Sequence, residues 1–186
     1  LEDESERAFL LNWMAHQVQN QGVLVGYCPL ILGTQGDGKT TIGKIIRAAI
    51  GTANVSSVNN DSIGSRFNAW ANTASTAFIE EIRAGGADRF TIYDRMKELI
   101  TNSEIGIIKK GFDENQVENV TNYIAFTNSH DAVPISDSDR RFYILETRHV
   151  NSRMDHLASA EHFETVYDCI DNNSKGIYRF LNNHEI

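Results

Sequence analysis

The sequence predicts an α/β fold: a central, mostly parallel sheet flanked by helices, with a small helical segment at the C-terminal end. Three observations lead there. Tyr27 to Leu32 is a short apolar run that stops at Gly33. A glycine-rich stretch follows, and Lys39 to Ile50 then sets Ile42, Ile45, Ile46 and Ala49 on one helical face before Gly51. Further short apolar runs recur at Val55–Val58, Ala77–Ile79, Tyr123–Thr127 and Phe142–Glu146, with helix-forming stretches between some of them.

In chain order, residues 5–20 place Phe9, Leu10, Trp13, Met14 and His16 to Val18 at roughly helical spacing, and Gln19-Asn20-Gln21-Gly22 ends the pattern. Residues 1–22 are thus expected to form a helix packed on the core. Pro29 cannot donate to a sheet ladder and belongs at the very start of its strand. Asp61 is a plausible N-cap for a helix through Trp70. Tyr93 to Ile100 is expected as a helix and Ile105 to Lys110 as a strand. From Glu161 two short helices are expected, broken by Asn172-Asn173-Ser174-Lys175-Gly176. The division that follows is 1–22, a P-loop core over 23–150, and a helical segment over 151–186.

Composition narrows the function. The net charge of −8 argues against coating nucleic acid through a broad basic face, although a few lysines presented to a channel could still hold a strand. Cys28 and Cys169 are too few for a disulfide framework, and no Cys/His spacing points to zinc. The acidic start Leu-Glu-Asp-Glu-Ser-Glu and the interrupted apolar runs indicate neither secretion nor membrane insertion, and a cytoplasmic setting is expected. The same start looks like a cut from a longer chain.

Gly33-Thr34-Gln35-Gly36-Asp37-Gly38-Lys39-Thr40 fits G-x-x-x-x-G-K-[ST], with Thr41 directly after it. Glycines let backbone N–H groups turn inward on phosphates, Lys39 reaches the β and γ oxygens, and Thr40 offers a hydroxyl to Mg²⁺. ATP and Mg²⁺ are therefore the expected ligands, against the blander alternative of a glycine-rich turn with an exposed lysine. Ala77 to Ile79 ends in Glu80 and Glu81. A phosphate site needs a carboxylate near its metal and a base near its water, and Glu80 and Glu81 are assigned to these in that order. Paired acids are also common as a solvated strand end. Asn128, at the end of another buried strand, can bond a γ-phosphate or simply form a turn with Ser129-His130-Asp131. Arg140 and Arg141 precede an apolar run. They can serve a neighbour's nucleotide in trans, or pair locally with Asp137 and Asp139.

Taken together, these residues resemble a superfamily 3 helicase, an AAA+-related motor of small viruses, phages and plasmids, most closely the poxvirus-type and phage primase-helicase branch. The resemblance runs from about Glu6 to Leu145. Its phosphate loop is met by Gly33 to Thr40, its acidic strand by Phe78 to Glu81, its asparagine strand by Ala125 to Asn128, and its arginine finger by Arg141 with Arg140 beside it. Ile107-Ile108-Lys109-Lys110-Gly111-Phe112 stands where the family carries a lysine-tipped hairpin, which makes Lys109 and Lys110 the candidate nucleic-acid contacts. The turn then runs into Asp113-Glu114, a departure from what a phosphate backbone favours. The resemblance implies a homo-oligomeric ring, commonly a hexamer, that hydrolyses ATP and translocates on single-stranded DNA, RNA not excluded, during replication. It also allows a primase or polymerase domain upstream in the same polypeptide. The competing functions are a P-loop phosphotransferase and a non-motor, ATP-dependent assembly platform.

Overall fold

The structure is a computed structural model that describes residues 1, 3–34, 37–82, 88–130, 132, 134–136, 139–147 and 153–186, with the backbone alone at 88 and 153–159. Its elements run α1 (Glu4–Gln19), β1 (Cys28–Leu32), α2 (Lys39–Ile50), β2 (Val55–Val58), α3 (Asn60–Gly64), β3 (Thr76–Ile79), α4 (Asp88–Thr101), β4 (Glu104–Ile107), β5 (Asn115–Glu118), β6 (Asn122–Thr127), β7 (Phe142–Glu146), α5 (Arg153–Asn172) and α6 (Ser174–Asn182). Five strands form one sheet in the order β2-β3-β6-β1-β7, and every pairing in it is parallel. The predicted α/β class and parallel sheet are found.

Alternation explains why the strands read as unbroken apolar runs. Side chains of a strand point to opposite faces in turn. Cys28, Leu30, Ala77, Ile79, Tyr123 and Ala125 join one core with Ile63 of α3 and Ile92, Met96, Leu99 and Ile100 of α4. Their neighbours Ile31, Phe78, Ile124 and Phe126 join a second core with Leu10 and Trp13 of α1 and Ile46 of α2. Both faces are covered, so every residue of β1, β3 and β6 is buried. α6 lies across α1: Gln19 donates to the carbonyls of Leu181 and His184 at 2.7 and 2.8 Å.

Several expectations need correction. α3 is capped by Asn59, whose side chain accepts from the amide of Ser62, and it ends at Gly64; Asp61 lies inside it. A separate 3₁₀ turn covers Ala69–Asn72. Asn68 is diverted to the β4–β5 hairpin. Its side chain donates to the carbonyl of Gly106 at 2.7 Å and accepts from the amide of Ile108 at 2.7 Å, and its own amide donates to the Ile108 carbonyl at 3.2 Å rather than to a helical carbonyl. Pro29 is the second residue of β1, not the first. The strand expected to reach Lys110 stops at Ile107 and returns antiparallel as β5, which the sequence reading did not contain. α5 is one long helix, and its break from α6 is the single residue Asn173. Among the described residues no helix is long and apolar enough to cross a membrane.

Candidate functional site

Crossovers set the location of the site. From β1 the chain passes through α2 to β2 on one side, whereas β6 is followed by β7 on the other side of β1. The carboxyl ends of the strands open into a crevice at such a reversal, where ligands of open α/β sheets bind. β1 delivers the glycine loop there, β3 delivers Glu80 and Glu81, and β6 delivers Asn128. Lys39, Thr40, Glu80, Glu81 and Asn128 line one cleft of about 230 Å³, floored by Phe78 and Phe126. Five residues predicted from separate motifs are thus brought together.

The loop is held from both sides. The Gly33 amide donates to the Thr127 carbonyl at 3.1 Å, and the Thr147 amide to the Leu32 carbonyl at 2.9 Å. Gly38 caps α2 with φ of 92°, a backbone region that glycine enters without steric cost. Lys39 Nζ donates to the carbonyls of Gly33 and Thr34 at 2.8 and 2.5 Å and to both carboxylate oxygens of Asp37 at 3.0 and 3.1 Å. The side chain of Asp37 is 2% exposed and that of Lys39 13%, so this ion pair is largely shielded from water. Asp37 also accepts from the Thr147 hydroxyl. Gln35 and Gly36 lie outside the described residues.

Glu81 has φ of 54°, and among the described residues no other non-glycine has a positive φ. Its neighbours hold it there: the Glu80 amide donates to the Val58 carbonyl at 3.0 Å and the Ile82 amide to the Phe126 carbonyl at 2.8 Å. Left-handed backbone costs a side-chain-bearing residue about 1–2 kcal/mol and persists where its surroundings over-determine it. The result aims Glu81 at Asn128, whose amide donates to its carboxylate at 3.3 Å.

Two predicted pairs lie elsewhere. Arg140 and Arg141 precede β7 at the amino ends of the strands, where the Cys28 amide donates to the Arg141 carbonyl at 2.7 Å. At about 3.3 Å of rise per residue, β1 separates them from the loop of the same chain by roughly 15 Å. Arg141 Nη1 is 3.7 Å from Asp139, which also accepts from the Arg141 amide at 2.8 Å and from the Tyr93 hydroxyl. Burial alone would raise the Asp139 pKa; the Tyr93 hydrogen bond and Arg141 outweigh it and hold the carboxyl below its ordinary value. The same hydrogen bond pushes Tyr93 up. Asp137 lies outside the described residues. Lys109 and Lys110 are exposed in the β4–β5 turn beside Phe112, which is 74% exposed, and Gly111, with φ of 83°.

Sequence reasoning missed Arg47, which also lines the cleft, bonds Ser57 at 2.7 Å and lies over the Phe78 ring. Helical spacing from Lys39 and Thr40 was the available signal. Thr147 carried none, since it reaches Asp37 only because β7 lies beside β1.

Residues 31–141, more than half of the chain, match the model of the family of unknown function DUF5906. The chain belongs to DUF5906. This DUF5906 chain is also 26% identical, over 181 residues and 96% of its length, to the DNA primase-polymerase of Nitratiruptor phage NrS-1, of which it spans 24%. Two solved apo structures of the NrS-1 C-terminal region share its fold. They have TM-scores of 0.78 and 0.76 at 24% and 23% identity, over 99% and 98% of this chain and 42% and 43% of theirs. These matches overturn the assignment to superfamily 3 helicases. The matching family is DUF5906 and the relative is a DNA primase-polymerase, so the nucleic-acid-dependent ATP hydrolase and helicase activity inferred from the resemblance is withdrawn. The phosphotransferase and assembly-platform alternatives go with it. The physical reason is that a loop, two acids and an asparagine at the carboxyl ends of a parallel sheet describe a local geometry, and the process a protein serves is not written in it.

Proposed function

We propose that the chain is a nucleoside triphosphate-binding unit, of P-loop type, within a DNA replication protein of the primase-polymerase kind. The observation that carries this is the convergence of Lys39 and Thr40 with Glu80, Glu81 and Asn128 in one cleft at the sheet's reversal point. The relative supplies the replication context, and because the chain spans about a quarter of it, we place a primase or polymerase part elsewhere in the same polypeptide. Gly33 to Gly38 would receive phosphates on backbone amides, with Thr41 following at the first turn of α2. A hydroxyl and a carboxylate are hard oxygen donors of the kind Mg²⁺ takes while keeping several waters, so Thr40 and Glu80 fit that ion. Among the described residues no group of three or more acidic, His or Cys side chains forms a dedicated metal cage, in keeping with a metal that arrives with its nucleotide. Glu81 and Asn128, hydrogen-bonded to each other, would then face the terminal phosphate and the waters that the ion keeps. Since Arg140 and Arg141 cannot reach their own loop, we extend the proposal to a homo-oligomer, a hexameric ring being the form expected from sequence, in which they face a neighbour's nucleotide. Calorimetric titration with ATP tests the core of this reading: binding is expected with Mg²⁺ and at least about tenfold weaker binding in EDTA. Equal affinity in the two conditions, or none in either, would sink it.

For the DNA, the tip of the β4–β5 hairpin is the supported contact. Lys109 and the exposed ring of Phe112 border a hollow of about 540 Å³, with Lys110 exposed next to them in the chain, and single strands are held by cations along the backbone and aromatics under the bases. Lys109→Ala with Lys110→Ala is expected to weaken single-stranded DNA binding and reduce its salt slope by up to about 1.4, at about 0.7 per neutralised phosphate. An unchanged slope would remove the hairpin from the binding surface.

A further inference from the structure

The phosphate loop has an aromatic neighbour that no motif announces. Phe163 of α5 meets Gly38 with the tip of its ring, so closely that a Cβ on that glycine would overlap it. One turn further along α5, Tyr167 accepts from the Thr41 hydroxyl at 3.3 Å and has Lys44 Nζ 3.4 Å above its ring. The two rings lie 6.0 Å apart with 24° between their planes, and the exposed His162 ring is 5.5 Å from Phe163. This is not core packing. Both rings stand on a glycine, a threonine and a lysine, and neither belongs to either apolar cluster of the sheet.

The direction of a bound triphosphate follows from strand order. Glu80, Glu81 and Asn128 lie at the ends of β3 and β6, on one side of β1, and they mark the metal and the terminal phosphate. The nucleoside end must then point to the other side of β1, the side of β7, after which α5 follows. Amides at the first turn of α2, near Thr41, are where the innermost phosphate ends. Phe163 and Tyr167 stand there. We propose that Phe163, braced by Tyr167, is the nucleobase subsite of the phosphate loop, stacking the base of the bound nucleoside triphosphate. This rests on the phosphate-loop reading above and adds to it the side from which the base is recognised. Stacking is tolerant of base identity because every base has a π face. Tyr167, tied to Thr41 and covered by Lys44, fixes the position of the helix and acts as a positioning residue.

The test compares Mg²⁺-ATP with Mg²⁺-tripolyphosphate, which has the phosphates and no base, on the wild type, Phe163→Leu and Phe163→Tyr. Wild type should bind ATP more tightly than tripolyphosphate. Phe163→Leu, which keeps an apolar side chain on Gly38, should lose about tenfold in ATP affinity and nothing in tripolyphosphate affinity, and Phe163→Tyr should restore ATP binding. If Phe163→Leu weakens both ligands alike, or leaves ATP binding unchanged, the subsite is wrong while the phosphate loop stands. If the wild type binds neither ligand, the phosphate loop itself is wrong and the subsite falls with it.

Discussion

Lys39→Ala is expected to reduce nucleoside triphosphate affinity by about a hundredfold and, separately, to destabilise the ligand-free chain. The first effect follows from removing a hydrogen-bonding cation, worth about 1.5–3 kcal/mol, from a group of phosphate oxygens. The second comes from Asp37. Its carboxylate is 2% exposed and pairs with Lys39, so alanine leaves a shielded negative charge with Thr147 as its remaining side-chain partner among the described residues. Breaking a shielded pair from one side costs about 3 kcal/mol. Asp37→Asn in the same chain removes the orphaned charge, so the double variant should regain most of the denaturation midpoint and none of the affinity. Urea unfolding and calorimetry on the single and double variants separate the two effects. Wild-type affinity in Lys39→Ala would remove the loop from the binding site, and a single variant as stable as wild type would show that Asp37 is not held by charge.

Glu81→Gly should move stability and binding in opposite directions. At φ of 54° the glutamate sits in left-handed backbone that glycine adopts without penalty. Relief of about 1–2 kcal/mol, less the 0.5–1 kcal/mol that glycine's extra freedom in the unfolded chain takes back, leaves a gain near 1 kcal/mol. For a domain of this size that raises Tm by about 2–4 °C. The same substitution removes the carboxylate that Asn128 touches in the cleft, and Mg²⁺-nucleotide affinity should fall by about tenfold or more. Glu81→Ala is the control, losing the carboxylate while keeping the unfavourable φ. Thermal melts of the two variants decide the matter: equal Tm values would mean that the backbone at position 81 stores no strain.

Where sequence reasoning succeeded, local chemistry and tertiary structure agree. Gly33, the run before it and the face of Ile42, Ile45 and Ile46 after it place a strand, a loop and a helix without reference to the rest of the chain. The termini of β7 were legible because an apolar run begins abruptly after Arg141. β5 was not, since Asn115–Glu118 is a polar, largely exposed segment that becomes a strand only by pairing with β4 across Gly111. The cap of α3 was misplaced because Asn59, Asn60 and Asp61 all have capping side chains, and packing of Ile63 against the core selects the first. In the site, residues at strand ends could be read from position, but Thr147 and Phe163 reach the loop by virtue of strand order alone. The helicase assignment erred differently. It carried over a process from motifs whose content is local geometry.

The parallel sheet also dictates a history for each newly made copy. Leu30 lies in an interior strand, with Ala125 on one flank and Ile144 on the other. A ribosome therefore releases the strand Cys-Pro-Leu-Ile-Leu long before either flanking strand exists, and no nearby hairpin can shelter it meanwhile. Contacts so distant along the chain slow folding, and exposed apolar edges invite association with other nascent chains. Synthesis that stops short of Phe142 should leave that strand open on one flank, a species for chaperones and proteases to clear.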